Sequence, residues 1–212
     1  MLSSYIVGAR VEGTEQLRNK IPSVFRIQEY IESAWDMGIN ASGRVETGGI
    51  KGTRKYIGTP EAQAMFLGLK IPCEAEGYKS HEKGVAEAAL FAAVQQYFER
   101  APFDPRDKVR CTNLPPIYFQ HRGHSLTIVG FEQLTSGYLN LLVFDPIYSD
   151  PEGITRLIGQ AGRHSDTKGD RNKIRNPMPR NSSSMLRLYR RGHSYLRKYH
   201  EFELLRLKTK PA

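Results

Sequence analysis

The sequence predicts an α+β fold with helices packed on an antiparallel sheet. Up to about residue 100 the apolar residues recur mostly at helical spacing; beyond it they alternate or run in short stretches bounded by turn residues. A strand-like segment, HEFELLRLK at 200–208, comes late and must return to a sheet begun earlier. Helices first, then a meander, then one returning strand is an α+β order rather than an alternating one. No internal repeat interrupts it.

Leu2, Tyr5 and Ile6 lie at helical spacing with no capping residue before them, so the chain is expected to open inside a helix. In 21–38, Ile27, Ile31 and Trp35 fall on one stripe at steps of four, with Ser23 placed to cap and Gly38 to terminate. Residues 39–58 contain five glycines and read as an exposed loop. Thr59 as N-cap, Pro60 at the first helical position and Glu61 in the first turn start the next helix. A short strand is expected in 69–79, then an alanine-rich helix over 84–100 whose Val85, Ala89, Phe91 and Ala92 face the sheet. Strands follow at 108–112, 125–132 and 138–145, the last two joined as a hairpin through 133–137. Residues 163–184, polar, basic and broken by proline, read as a mobile loop; 187–196 reads as helical and leads into the return strand. The domain division is therefore a main body at 1–162, a basic loop at 163–184, and a closing helix and strand of the same domain at 185–212.

With 212 residues and 39% hydrophobic content the chain can bury one sizeable core. No stretch is long and apolar enough to span a membrane, and 1–13 lacks the pattern of a cleaved leader, so an intracellular protein of cytoplasm or nucleus is expected. Cys73 and Cys111 then read as reduced thiols. The net charge of +9 is unevenly spread: residues 1–162 hold 17 Lys/Arg against 18 Asp/Glu, and residues 163–212 hold 14 against 4. A basic appendage on a near-neutral body allows a weak nucleic-acid contact but does not describe a groove built around phosphates.

Chemistry concentrates in PPIYFQHRGHSLTIVGFE and LLVFDP. Gln120, His121, His124 and Ser125 are expected in a loop between two strands, with Asp145 at the end of the strand that pairs with the one leaving His124. The hairpin brings that strand start and that strand end together. A carboxylate on one imidazole nitrogen fixes the tautomer and leaves the other nitrogen free to deprotonate a nucleophile. His121 and His124 make a poor metal pair, since residues three apart on one extended strand point to opposite faces and no further ligand pattern is present. Cys111, alternating with Val109, and Cys73 both read as inert buried thiols. No G-x-S-x-G elbow occurs, and Ser125 would point away from His124.

On MLSSYI, IPSVFRIQEYIESAWDMG, KGTRKYIG, PPIYFQHRGHSLTIVGFE and LLVFDP, in that order and spacing, the sequence resembles the Ufm-specific-protease-like cysteine peptidases, closest to their zinc-finger-associated deubiquitinase branch. The resemblance implies a papain-like fold, His124 as general base, Asp145 as orienting acid, no cofactor, and conjugates of ubiquitin or a ubiquitin-like modifier as partners. It places Gln120 and His121 beside the oxyanion or the substrate channel and Tyr56 at a cleft wall. In the family the nucleophilic cysteine stands in a Gly-Cys-Gly-Tyr-like motif ahead of the stretch matching MLSSYI. The expectation is thus a domain without the part that carries the nucleophile, inactive as it stands, or else a non-catalytic relative that binds the modifier. Asp145-Pro146 is followed by Ile147 where the modifier-specific branch has histidine, which supports the deubiquitinase-like branch.

Overall fold

The computed structural model describes residues 21–102, 104, 106–156 and 186–208. The helix expected at the opening and the basic loop at 163–184 lie outside the described residues.

Helix α1, Val24–Asp36, begins as its sequence requires: the Ser23 hydroxyl accepts from the Arg26 amide at 3.3 Å, and Gly38 ends it at φ +80°. The glycine-rich stretch after it is not simply an exposed loop. It contains helix α2, Ser42–Thr47, and the fully buried Ile50. Side chains of α1 hold it down: Glu32 Oε1 accepts from the Ile50 and Lys51 amides at 2.6 and 3.3 Å, and the Gln28 amide bonds Gly52 N and Thr53 O at 3.0 and 2.9 Å. Gly43 is there for close approach, since a Cβ would stand 3.0 Å from the Trp35 ring and 2.8 Å from Glu61 Oε1.

Helix α3, Thr59–Gly68, starts one residue earlier than its sequence suggests. Gly58 is the N-cap, its amide donating to Glu61 Oε2 at 2.6 Å, so Thr59 is already helical and its buried hydroxyl has no partner among the described residues. After strand β1, Cys73–Lys79, comes helix α4, Val85–Glu99. Its buried face is Ala86, Leu90, Phe91, Val94, Tyr97 and Phe98, whereas Val85 and Ala92 are exposed. The alanines left the helix's rotation undetermined, and the large side chains set it.

The next strand is not 108–112, where Val109 and Cys111 are exposed; it is β2, Ile117–His121, directly after Pro115-Pro116. Alternation without a pairing partner is not a strand, and prolines belong before a ladder rather than in it. Arg122 and Gly123, the latter at φ +79°, make a two-residue turn into β3, His124–Gln133, so that His121 pairs with His124. The presumed loop is therefore a tight hairpin. Strand β4, Leu139–Phe144, follows by the expected hairpin, with Leu134 N on Tyr138 O at 2.9 Å. Residues 187–196 do not form one helix: they divide into a 3-10 turn, Arg187–Tyr189, strand β5, Arg190–Gly192, and the short helix α5, His193–Leu196. Strand β6, Glu201–Leu207, is the late return.

Among the described residues these six strands form one antiparallel sheet in the order β1-β6-β2-β3-β4-β5. On one face α4 packs against Ile117, Phe119, Leu126, Ile128, Leu141, Val143, Phe202 and Leu204; on the other α1 and α3 cover β1 and β6 through Ile31, Trp35, Phe66, Ile71 and Leu205. The returning strand feeds both cores.

Gly43→Ala is expected to lower stability by roughly 1–3 kcal/mol in a thermal or urea melt, because the methyl overpacks the Trp35 ring. A melt matching wild type would show that α2 can withdraw from α1 without cost.

Candidate active site

Strand register brings the predicted pair together. Asp145 follows Phe144, which pairs with Thr127, so it falls across from Leu126 and diagonal to His124. A bulge makes this possible. Between Ile128 and Gly130 the β3–β4 register shifts by one residue. Had the pairing of the strands' far half, Gly130 with Leu142, continued unchanged, Asp145 would oppose Thr127 and lie on the face away from His124.

His124 Nε2 and Asp145 Oδ1 stand 2.8 Å apart, with the side chains 20% and 5% exposed. The carboxylate accepts, so the imidazole carries its proton on Nε2 and presents a lone pair at Nδ1, which has no hydrogen bond among the described residues. Such a nitrogen can take a proton from a thiol or hydroxyl. Asp145 is further bound: Ile147 N donates to Oδ1 at 3.1 Å and Arg191 Nη2 to Oδ2 at 2.6 Å. Burial pushes its carboxyl up, but the Ile147 amide, the Arg191 guanidinium and His124 outweigh burial and hold it below its ordinary value.

Arg191 was not foreseen. Only the Arg190-Arg191 doublet hinted at it, and no local pattern says which of two adjacent arginines faces inward. The pairing of Arg191 with Leu141 decides, since Leu141, Val143 and Asp145 share one face.

The other predicted residues are placed differently. His121 shares the face of His124, with ring centroids 5.8 Å apart, rather than pointing opposite to it. It is buried, its Nε2 2.7 Å from the Tyr195 hydroxyl and its ring stacked on Tyr199 at 3.9 Å. It backs the His124 ring and also borders a cavity with Gln120, Tyr199 and Glu203, and burial lowers its pKa, which favours the neutral ring. Gln120 lies at the same end of the sheet on the opposite face, where its Oε1 accepts from Tyr118 OH at 2.8 Å and Ser125 Oγ at 3.4 Å. Tyr56 is 98% exposed among the described residues.

Neither cysteine serves His124. Cys73 pairs with Leu207, at the sheet end away from the His121–Phe202 pair, and lies in the α1–α3 core; burial pushes its thiol up to about 11. Cys111 is exposed, not buried, and precedes the end of β2 remote from His124.

An imidazole oriented by a buried carboxylate at the end of an antiparallel sheet is the histidine–acid half of a nucleophile–histidine–acid arrangement. The family model of peptidase family C78 matches residues 1–205, and the chain belongs to that family. It is 33% identical over 148 residues to mouse (Mus musculus) zinc finger-containing ubiquitin peptidase 1, covering 69% of this chain and 26% of that protein. The rat (Rattus norvegicus) protein of the same name is 34% identical over 128 residues, covering 59% and 22%. Ubiquitin carboxyl-terminal hydrolase mug105 of Schizosaccharomyces pombe is 32% identical over 121 residues, covering 57% and 45%. The chain thus spans about a quarter of the length of the mammalian relatives it matches. The crystal structure of UfSP from C. elegans superposes with a TM-score of 0.51 at 15% identity over 98% of this chain and 29% of that one, which makes the fold papain-like.

The acid dependence of stability tests the Asp145 contacts. Because its folded pKa is depressed, the carboxylate stabilises the fold above its ordinary value of 3.8, and that contribution is lost as pH falls through the folded value. Asp145→Asn is expected to cost roughly 2–4 kcal/mol in urea at pH 7, with the difference from wild type shrinking below about pH 4. A difference that stays constant down to pH 3 contradicts the assignment.

Proposed function

We propose that this chain is the histidine- and carboxylate-bearing part of a thiol isopeptidase domain that releases ubiquitin or a ubiquitin-like modifier from conjugates. One observation carries the reading: His124 is held at Nε2 by Asp145 while Nδ1 stays open. The printed names of the mammalian and yeast relatives, all ubiquitin peptidases or hydrolases, support the substrate class.

We assign the nucleophile to a cysteine ahead of Met1, where the resemblance puts the Gly-Cys-Gly-Tyr-like motif, since the positions of Cys73 and Cys111 fit neither one to the role. His124 Nδ1 takes the thiol proton as sulfur attacks the carbonyl carbon of the isopeptide bond. The bond to the lysine nitrogen breaks, that proton passes to the departing amine, and a thioester remains. Water, deprotonated by the same nitrogen, then releases the modifier as a carboxylic acid and restores the thiol. Through both steps Asp145 stabilises the imidazolium without itself taking the proton.

A ubiquitin propargylamide probe is expected to label a longer version that includes the upstream motif and to leave the present chain unlabelled. Labelling at Cys73 or Cys111 would overturn the reading. In the longer version His124→Asn is expected to reduce kcat by about 10²–10⁴-fold on ubiquitin aminomethylcoumarin. A longer version that binds ubiquitin without turnover would mark a non-catalytic binder instead.

A further inference from the structure

Strand β5 has three residues and one neighbour, β4, against which Arg190, Arg191 and Gly192 pair with Leu142, Leu141 and Asn140. So short an edge ladder holds a segment weakly. Two polar side-chain contacts reinforce it from either side of Arg191. Arg190 grips Glu132 of β3 with two parallel bonds, Nε to Oε2 at 2.8 Å and Nη2 to Oε1 at 2.7 Å. His193 Nδ1 hydrogen-bonds the buried carboxylate of Glu87 on α4. Gly192 completes the close fit, since a Cβ there would come within 2.5 Å of Asn140 Oδ1.

What this strand delivers is the guanidinium of Arg191, on a side chain only 7% exposed. Nη1 donates to the carbonyls of Leu188 and Arg190 at 2.8 and 3.0 Å, Nη2 donates to Asp145 Oδ2, and the group lies 5.0 Å from the Tyr195 ring. Its Nε is buried with no partner among the described residues. As a stabilising device this is poor, because a buried guanidinium with an unpaired N–H loses more hydration than an ion pair reliably returns. As a way to fix a carboxylate it is effective. The hydroxyl of Tyr195 also meets His121, the ring behind His124, so Arg191, Asp145, His124, His121 and Tyr195 close a circle of contacts.

We infer that Arg191 is a positioning residue: by occupying Oδ2 it sets the rotation of the Asp145 carboxylate and keeps Oδ1 on His124 Nε2. The consequence for rate rests on the isopeptidase reading; the geometric part does not.

The two parts are read by separate measurements. On the present chain, 15N imidazole NMR at pH 8 is expected to show His124 as a single Nε2–H tautomer in wild type, a mixture in Arg191→Met, and an intermediate state in Arg191→Lys, whose one nitrogen cannot occupy the positions of both Nη1 on the carbonyls and Nη2 on Asp145. Wild-type nitrogen shifts for His124 in a folded Arg191→Met overturn the proposal; if that variant does not fold, unchanged shifts in Arg191→Lys overturn it. In the longer version, Arg191→Met is expected to lower kcat on ubiquitin aminomethylcoumarin by about 10–100-fold with KM within about twofold, and to add less than about twofold once Asp145 is Asn. Additive losses would assign Arg191 to folding alone and overturn the proposal. Absence of turnover in the parent longer version would sink the isopeptidase reading and leave the tautomer result to decide on Arg191.

Discussion

The carboxylate of Asp145 is the point on which this architecture converges. Its two oxygens accept from a side chain of β3, a side chain of β5 and a backbone amide two residues on, and each donor is in place only if a separate piece of the fold is correct. The turn at Arg122-Gly123 must start β3 at His124; the bulge at Val129 must shift the register; β5 must pair at Leu141. A buried carboxylate missing any of these would be left costly and unpaired. The site is therefore a product of sheet register, and the sheet's irregularities are part of its construction.

The surroundings of His124 follow from the same economy of charge. A second imidazole sits beside it, and two imidazolium groups at that separation would repel. His121 eases the conflict by burial: it is enclosed by Phe119, Tyr195 and Tyr199 and bonded to the Tyr195 hydroxyl, and its pKa is lowered, which favours the neutral ring that supports the one in front of it. The face of His124 that meets solvent is then free for a reacting group.

Much of this was legible from local sequence. The stripe of Ile27, Ile31 and Trp35 with Ser23 before it specifies α1 by spacing and capping, and a hairpin whose turn residues are visible brings His124 and Asp145 to one end of the sheet, although only the bulge puts them on one face. What escaped depends on contacts distant in sequence. Residues 39–58 look like a loop because glycine usually means freedom, yet Gly43 is needed to meet Trp35 and Ile50 is anchored from eighteen residues away. The segment 108–112 alternates like a strand but joins no ladder among the described residues, while Arg190–Gly192 does not resemble a strand and is held as one with Glu132 receiving Arg190 and Glu87 receiving the adjoining His193. Arg191 illustrates the limit most clearly: its role is set by which face β4 offers it.

The place of β6 carries a consequence for how the protein is made. It lies between β1 and β2, so the sheet cannot close until residues beyond 200 have left the ribosome. Until then β1 and the meander starting at β2 each present an unpaired edge to the cell, and the α1–α3 core lacks Leu205 and Leu207. Synthesis at 5–20 residues per second holds the nascent chain in that state for roughly six to twenty-five seconds after β1 emerges, a window in which a chaperone or another copy of the strand can compete for the gap.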